Sequence, residues 1–217
     1  MKSICLFSCL CLMLAVVESR GNAQSAYSIP FASQGNIIEL SIANISSTTA
    51  GSVSIQVTNV PSWMRFDDVE RQIPTVTGGG EGTVAFSFSI EKSAPVDREH
   101  TLRFVITSST GENWTKEITV AVAAPEQFEL FQNYPNPFNP TTAIGYQLSA
   151  TSRVSLKVFD VLGREVATLV DGDRPAGYHE ERWDAGAFAS GMYVYELVAL
   201  AGNGKRHVGR RTLMLVR

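Results

Sequence analysis

The sequence predicts an all-β chain: two tandem Ig-like β-sandwich domains behind a cleaved signal peptide. Two observations predict it. Short runs with apolar residues at every second position recur from about Ala26 to the C-terminus, and a period of two gives a strand one buried and one wetted face. Turn formers such as Gly78-Gly79-Gly80, Ser109-Thr110-Gly111 and Gly202-Asn203-Gly204 stand between those runs, at the spacing expected of a sandwich. Charged residues make up only 18% of the chain, and helical periodicity is not sustained beyond the N-terminal leader.

The leader comes first. Lys2 precedes an apolar run from Ile4 to Val17, which is short for a membrane span. Glu18-Ser19-Arg20 follows, then Gly21-Asn22-Ala23, with small residues at its first and third positions. This is the layout of a secretory signal peptide over residues 1–23, cleaved between Ala23 and Gln24. No later run reaches transmembrane length, so no membrane span is expected in the mature chain. Cys5, Cys9 and Cys11 all lie in the leader, and the mature chain is expected to hold no disulfide, thiol nucleophile or cysteine ligand. Leu6-Phe7-Ser8-Cys9 sits too early for a lipoprotein box.

Residues 24–124 form the first expected domain. Val53-Ser54-Ile55-Gln56-Val57, the run 84–90, Leu102-Arg103-Phe104-Val105-Ile106 and Ile118-Thr119-Val120-Ala121-Val122 all alternate. Trp63, after the Pro61 turn, and Trp114 permit two readings. Exposed, their indoles would stack on sugar faces; otherwise they are core or rim packing residues. Ala123-Ala124-Pro125 ends the last alternating run, so residues 125–132 read as a linker.

The segment Phe131-Gln132-Asn133-Tyr134-Pro135-Asn136-Pro137-Phe138-Asn139-Pro140 opens the second domain, residues 133–217. Proline fixes φ, removes a donor and drives the preceding residue extended. No central strand can include this stretch. Strands are expected over 143–148, 154–159 and 164–169, the last closed by a turn at Asp171-Gly172-Asp173. Further strands are expected over 178–183, 192–197 and from the Gly202 turn to Arg217, giving about seven in the module.

Ordered blocks in this region carry a resemblance. After the proline–asparagine opening come Val158-Phe159-Asp160-Val161-Leu162-Gly163-Arg164-Glu165-Val166, Ala176-Gly177-Tyr178-His179, Trp183-Asp184 and Ser190-Gly191-Met192-Tyr193. The basic-then-apolar end, Arg210-Arg211-Thr212-Leu213-Met214-Leu215-Val216, completes the series. Together they closely resemble the type A C-terminal sorting domain of the type IX secretion system, over about residues 128–217. That family is itself similar to the Ig-like part of flagellar hook-capping proteins. Met192 stands where the family commonly has valine or isoleucine, and Phe159 where tyrosine is frequent; both stay hydrophobic.

The resemblance implies an address. The signal peptide takes the chain across the inner membrane, and a dedicated translocon and its sorting machinery take it from the periplasm across the outer membrane. The domain is then usually removed and the cargo released or attached to surface lipopolysaccharide. The sorting-motif residues so implied are Asn133, Tyr134, Pro135, Asn136, Pro137, Phe138, Asp160, Gly163, Gly191 and Tyr193. Asp160 and Gly163 bracket a turn, where aspartate bonds backbone amides and glycine tolerates positive φ. Gly191 permits a bend or a close backbone approach. Lys205, Arg206, Arg210, Arg211 and Arg217 crowd the end of the chain with no acid among them. Two readings stand for these cations: contact with an acidic translocon component or lipopolysaccharide phosphates, or protection of an edge strand.

The net charge of −3 gives no reason to expect nucleic acid. His100, His179 and His207 are scattered without metal-ligand spacing. Asp171-Gly172-Asp173 lacks the remaining ligands of a calcium loop. No Gly-x-Ser-x-Gly elbow or phosphate loop appears. The expectation is a secreted or cell-surface protein without catalytic residues, metal or cofactor. A carbohydrate-binding or adhesive module is the alternative, and the C-terminal remnant of a larger secreted enzyme a weaker one.

Overall fold

The computed structural model describes residues 3–8 and 26–217. The expected cleavage site, Ala23 and Gln24, and most of the leader lie outside the described residues. The described residues hold strands and no helix, and so no helix long and apolar enough to cross a membrane. The chain divides into two compact units, Met1–Ala123 and Ala124–Arg217.

In the first unit, β1 (Ser3–Ser8), β2 (Tyr27–Ile29), β3 (Asn36–Ala43), β4 (Ala50–Thr58) and β5 (Met64–Phe66) are followed by β6 (Glu70–Val76), β7 (Glu81–Ile90), β8 (Glu99–Thr107) and β9 (Asn113–Val122). One sheet has the order β1-β3-β7-β5 and the other β2-β9-β8-β4-β6. Alternation does what it predicts. Val53, Ile55 and Val57 of β4 point inward, as do Phe86 and Phe88 of β7 and Leu102 and Phe104 of β8. Phe86 and Phe104 meet across the two sheets with ring centroids 5.4 Å apart. These contacts make a two-layer sandwich around one apolar core.

The edges of this sandwich are unequal. An edge strand offers unpaired backbone groups, and proteins blunt it by shortness, charge or proline. β2 and β5 have three residues each. β6 carries Glu70, Arg71 and, mid-strand, Pro74. β3 has eight residues and no proline. Along β3, β1 runs parallel in unbroken register from Ser3 opposite Ile37 to Ser8 opposite Ile42.

The second unit contains seven strands: β10 (Glu129–Leu130), β11 (Thr141–Leu148), β12 (Ser152–Asp160), β13 (Glu165–Arg174), β14 (Gly177–Asp184), β15 (Gly191–Ala201) and β16 (Arg206–Leu215). They form sheets β10-β11-β14 and β13-β12-β15-β16. Tyr146, Leu156, Val158, Tyr195 and Leu197 are fully buried between the sheets. Phe138, Trp183, Phe188 and Tyr193 pack at one end of this core.

Two sequence expectations are corrected here. Residues 125–132 are not wholly a linker: Glu129 and Leu130 pair with Gln147 and Tyr146, and Leu130 is buried in the second core. Leu130 is an apolar anchor that a proline-centred reading of the segment overlooks. Asp171-Gly172-Asp173 is not a turn. β13 continues through it to Arg174, with Gly172 opposite Val154 and the Asp171 carboxylate 3.0 Å from the Arg153 guanidinium. Register shifts at Leu156/Lys157 and Val158/Phe159 bend the pair without ending it.

Candidate functional site

The proline–asparagine segment folds back on its own module and clamps the final strand. Both Tyr134-Pro135 and Asn136-Pro137 are cis. Asn133 is buried, and its backbone N–H and both side-chain amide atoms are hydrogen-bonded. Its backbone N–H donates to the Tyr195 hydroxyl (2.9 Å), which donates in turn to the Phe131 carbonyl (2.7 Å). Its side-chain Nδ2 donates to the Pro135 carbonyl (3.0 Å) and to Thr142 Oγ1 (2.9 Å), while its Oδ1 accepts from Gln132 Nε2 (2.7 Å). Polar groups are buried cheaply only when paired in this way.

From that anchor the segment reaches β16. Asn136 Oδ1 accepts from the Met214 N–H (2.9 Å), and Gln132 Nε2 donates to the Thr212 carbonyl (2.7 Å). The Phe138 N–H donates to the Met214 carbonyl and its carbonyl accepts from the Val216 N–H, both at 3.0 Å. Nearer the start of β16, Arg211 Nε donates to the Leu130 carbonyl (3.2 Å). Gly209 allows this approach, since a Cβ there would lie 2.9 Å from Leu130 Cβ. The outer backbone of the end of the terminal strand, Thr212 to Val216, is thus occupied by residues 132–138, and Phe138 plugs the core against Trp183, centroids 5.6 Å apart.

The other motif residues are also spent internally. Asp160 Oδ1 accepts from the N–H groups of Leu162 (2.9 Å) and Arg164 (3.0 Å), and Oδ2 accepts from Arg164 Nε (2.7 Å). The Arg164 backbone bond is the chief reason its carboxyl is held below the ordinary aspartate value. Gly163 adopts φ +78° to close that turn. Gly191, at φ +152°, serves a bend rather than a close approach, because no atom lies within 4 Å of where its Cβ would be. Tyr193 is buried, and its hydroxyl donates to the Ala189 carbonyl (2.7 Å).

What these residues leave outside is apolar. Tyr134 is 82% exposed, and Val161 and Leu162 at the Asp160 turn are 69% and 74% exposed. Met192 and Met214 oppose each other across β15 and β16 and are both exposed. With Asn136, Pro137, Thr212 and Leu213 they line a shallow cleft of about 290 Å³. The sequence singles out Met192 only as a hydrophobic residue where the family commonly has valine or isoleucine. Its exposure follows from its register opposite Met214, which one strand alone does not reveal.

The cationic end is divided in use. Arg210 pairs with Glu196, Arg211 is tied to Leu130, and an Arg217 guanidinium nitrogen donates to the Gly186 carbonyl (2.6 Å). Lys205 and Arg206, at the β15–β16 turn, are exposed and enter no ion pair among the described residues.

Residues 132–208 match the family model described as the secretion system C-terminal sorting domain. The C-terminal module is a sorting domain. Such a domain implies export to the cell surface or medium and contact with the secretion machinery. No curated protein matches the chain significantly. Among solved structures, dimeric latent PorU from Porphyromonas gingivalis is 14% identical over 92% of this chain, with a TM-score of 0.35. The chain spans 19% of that protein's length. Extracellular domains 3–5 of Drosophila OTK are 14% identical over 87% of this chain and 61% of theirs, TM-score 0.40. CopC from Methylosinus trichosporium OB3b is 18% identical over 41% of this chain and 93% of its own, TM-score 0.29.

Outside the sorting domain, Trp63 and Trp114 are both half-buried against the first core, and Trp63 meets His100 edge-on at 5.8 Å. Among the described residues, no ring contact joins the two indoles. His100 Nε2 bonds the Asn59 carbonyl (2.8 Å), His179 Nε2 bonds the Pro175 carbonyl (2.9 Å), and His207 stacks on Phe128. Among the described residues, no three His, Cys, Asp or Glu side chains group as metal ligands.

Proposed function

We propose that this is a non-catalytic, Ig-like cargo of the type IX secretion system, delivered through the periplasm and outer membrane to the surface or medium. The observation that carries the reading is the match of residues 132–208 to the sorting domain. On this reading the exposed Met192–Met214 cleft is the face the secretion machinery grips, while the clamp beneath it keeps the terminal strand in shape. Lys205 and Arg206 supply the cations for an acidic surface or for lipopolysaccharide phosphates. The signal peptide over residues 1–23 supplies the first membrane crossing.

The test is fractionation of cells carrying variants. Deleting residues 124–217 traps the remainder in the periplasm, and continued surface delivery would sink the proposal. The double variant Met192→Gln, Met214→Gln folds, since both side chains are about half-exposed and gain no opposed like charges, and accumulates in the periplasm. If it is exported normally, the cleft is not the gripped face. Mass spectrometry of the surface form gives both termini and any lipopolysaccharide adduct.

An adhesive role for the first module has one favourable observation. A cleft of about 260 Å³ is lined by Ser46, Thr48, Thr49, Ser108, Ser109 and Glu112, with further small residues. Hydroxyls of this density suit a neutral polyol better than an anion. A glycan screen of the exported protein checks it, with Ser109→Trp filling the cleft; undiminished binding by that variant would remove the site.

A further inference from the structure

In the first module β3 is a long edge guarded by neither shortness nor proline, with Glu39 its one charge, and a strand already lies on it. β2 and β5 are too short to recruit a partner strand, and Pro74 breaks the donor row of β6. β3 offers eight residues without proline, with Ile38, Leu40 and Ile42 buried beneath them. Ser3–Ser8 fills six of these positions in parallel, setting Ile4 level with Ile38 and Leu6 level with Leu40. That segment belongs to the leader.

We propose that the β3 edge is a strand-acceptor site: once the leader is removed, it binds an extended peptide of a partner protein, parallel to β3. This rests on the reading of residues 1–23 as a cleaved signal peptide. The chemistry of the ligand follows from its stand-in. It is uncharged, at least six residues long, and apolar at alternate positions, so that its backbone completes the sheet while its register continues that of Ile38 and Leu40. Main-chain hydrogen bonds supply affinity in this mode of recognition, and alternate side chains supply selectivity. Before processing, the leader keeps the edge closed; processing removes the Ser3–Ser8 backbone from beside Ile37–Ile42 and opens that side of β3 to another strand.

Register makes the proposal testable by crosslinking. The chain starting at Gln24 contains no cysteine, because all three lie earlier. Cys5 stands opposite Glu39. A synthetic peptide with the Ser3–Ser8 sequence, flanked by lysines for solubility, is expected to form a disulfide with a Glu39→Cys variant of the 24–217 chain. The yield should exceed that of Ala43→Cys, which lies beyond the register, by about tenfold, the ratio that a difference of ~1.4 kcal/mol gives. Hydrogen exchange of the unsubstituted 24–217 chain should show residues 36–43 slowed by the peptide, and the slowing lost when alternate peptide nitrogens are methylated. Equal crosslinking at both positions, no slowing, or a β3 already protected by dimerisation of the free chain would overturn the proposal. The leader reading is checked separately by N-terminal sequencing of exported protein. A product still beginning at Met1 would refute that reading while leaving the crosslinking result to stand or fall by itself.

Discussion

In the sorting domain the last strand, β16, runs beside Gln132, Asn136 and Phe138, which take up its outer backbone groups from the Thr212 carbonyl to the Val216 N–H, while its Arg211 side chain bonds the Leu130 carbonyl. In the first module, the long strand β3 runs beside Ser3–Ser8, a segment that the proposed reading assigns to a cleaved leader. Both solutions hide an edge strand, which otherwise invites pairing with another chain. They differ in permanence. The clamp on β16 comes from its own module and is anchored by Asn133, Tyr195 and Thr142, so it travels with the domain wherever export takes it. The cover on β3 is lost if the leader is lost. The sorting domain thus guards its terminal strand with its own residues, whereas β3 depends on a segment from the start of the chain.

The sharpest way to break this comparison is to remove the plug of the clamp. Phe138→Ala empties a fully buried aromatic site beside Trp183 and should cost about 3–5 kcal/mol. Denaturant unfolding gives the total, and segment-resolved hydrogen exchange shows where it falls. The loss belongs to the sorting domain, with β15 and β16 exchanging fastest. If β3 and β7 lose protection equally, the modules do not close their edges independently.

Asn133→Ala comes next. It deletes two donated bonds and one accepted bond at a buried position, leaving the Pro135 carbonyl with Thr142 alone. A cost of about 2–3 kcal/mol is expected, measured the same way. Asn136→Ala, on the exposed side, strands only the Met214 N–H near water and should cost under about 1 kcal/mol. Equal costs would mean that the anchor and the reach of the clamp are one unit.

Tyr195→Phe removes the hydroxyl that joins the Asn133 N–H to the Phe131 carbonyl, for about 1–2 kcal/mol at neutral pH. It also changes the alkaline limb. Burial pushes Tyr195 and Tyr146 up to about 12 from 10.0. Between those values the unfolded chain releases protons that the folded domain retains, so stability is complete below about pH 10 and falls as pH rises toward about 12. The variant should lose less stability over that window than the parent, and an unchanged slope would exclude Tyr195 as a contributor.

Much of the fold is legible from period two because both faces of each sandwich are set by alternation. Val53-Ile55-Val57 and Val154-Leu156-Val158 point as they must. Two kinds of feature are not legible that way. The extent of β13 through Asp171-Gly172-Asp173 is decided by its pairing with β12, which overrides the local turn tendency of Gly172. The role of the proline–asparagine segment is decided by contacts 76 to 80 residues away in sequence, from Asn136 and Gln132 to Thr212. Prolines announce that the segment is no central strand; they cannot say that its asparagines replace one. The cations illustrate the same limit. Arg210 and Arg211 read like Lys205 and Arg206 in sequence, and only the register of β16 gives the first pair partners.

The smallest expected effect sharpens the comparison at a place the clamp does not reach. The turn at the end of β12 carries exposed Val161 and Leu162 on three hydrogen bonds to one carboxylate, Asp160. Those bonds favour the ionised form and hold its pKa below the ordinary aspartate value of 3.8. As pH falls, the unfolded or opened turn takes up a proton first. The stabilisation is therefore complete above that unfolded value and is lost as pH drops through the lower, folded one. Exchange at the Leu162 and Arg164 amides should quicken on acidification while β15 and β16 stay protected, because the clamp's bonds join backbone, amide, hydroxyl and guanidinium groups and include no carboxylate. Asp160→Asn keeps an oxygen acceptor for the turn and loses the charge, so it should flatten that pH response with little change near neutrality. If acid instead releases β16 together with the turn, the clamp and the turn are coupled, and the sorting domain closes as a single cooperative piece.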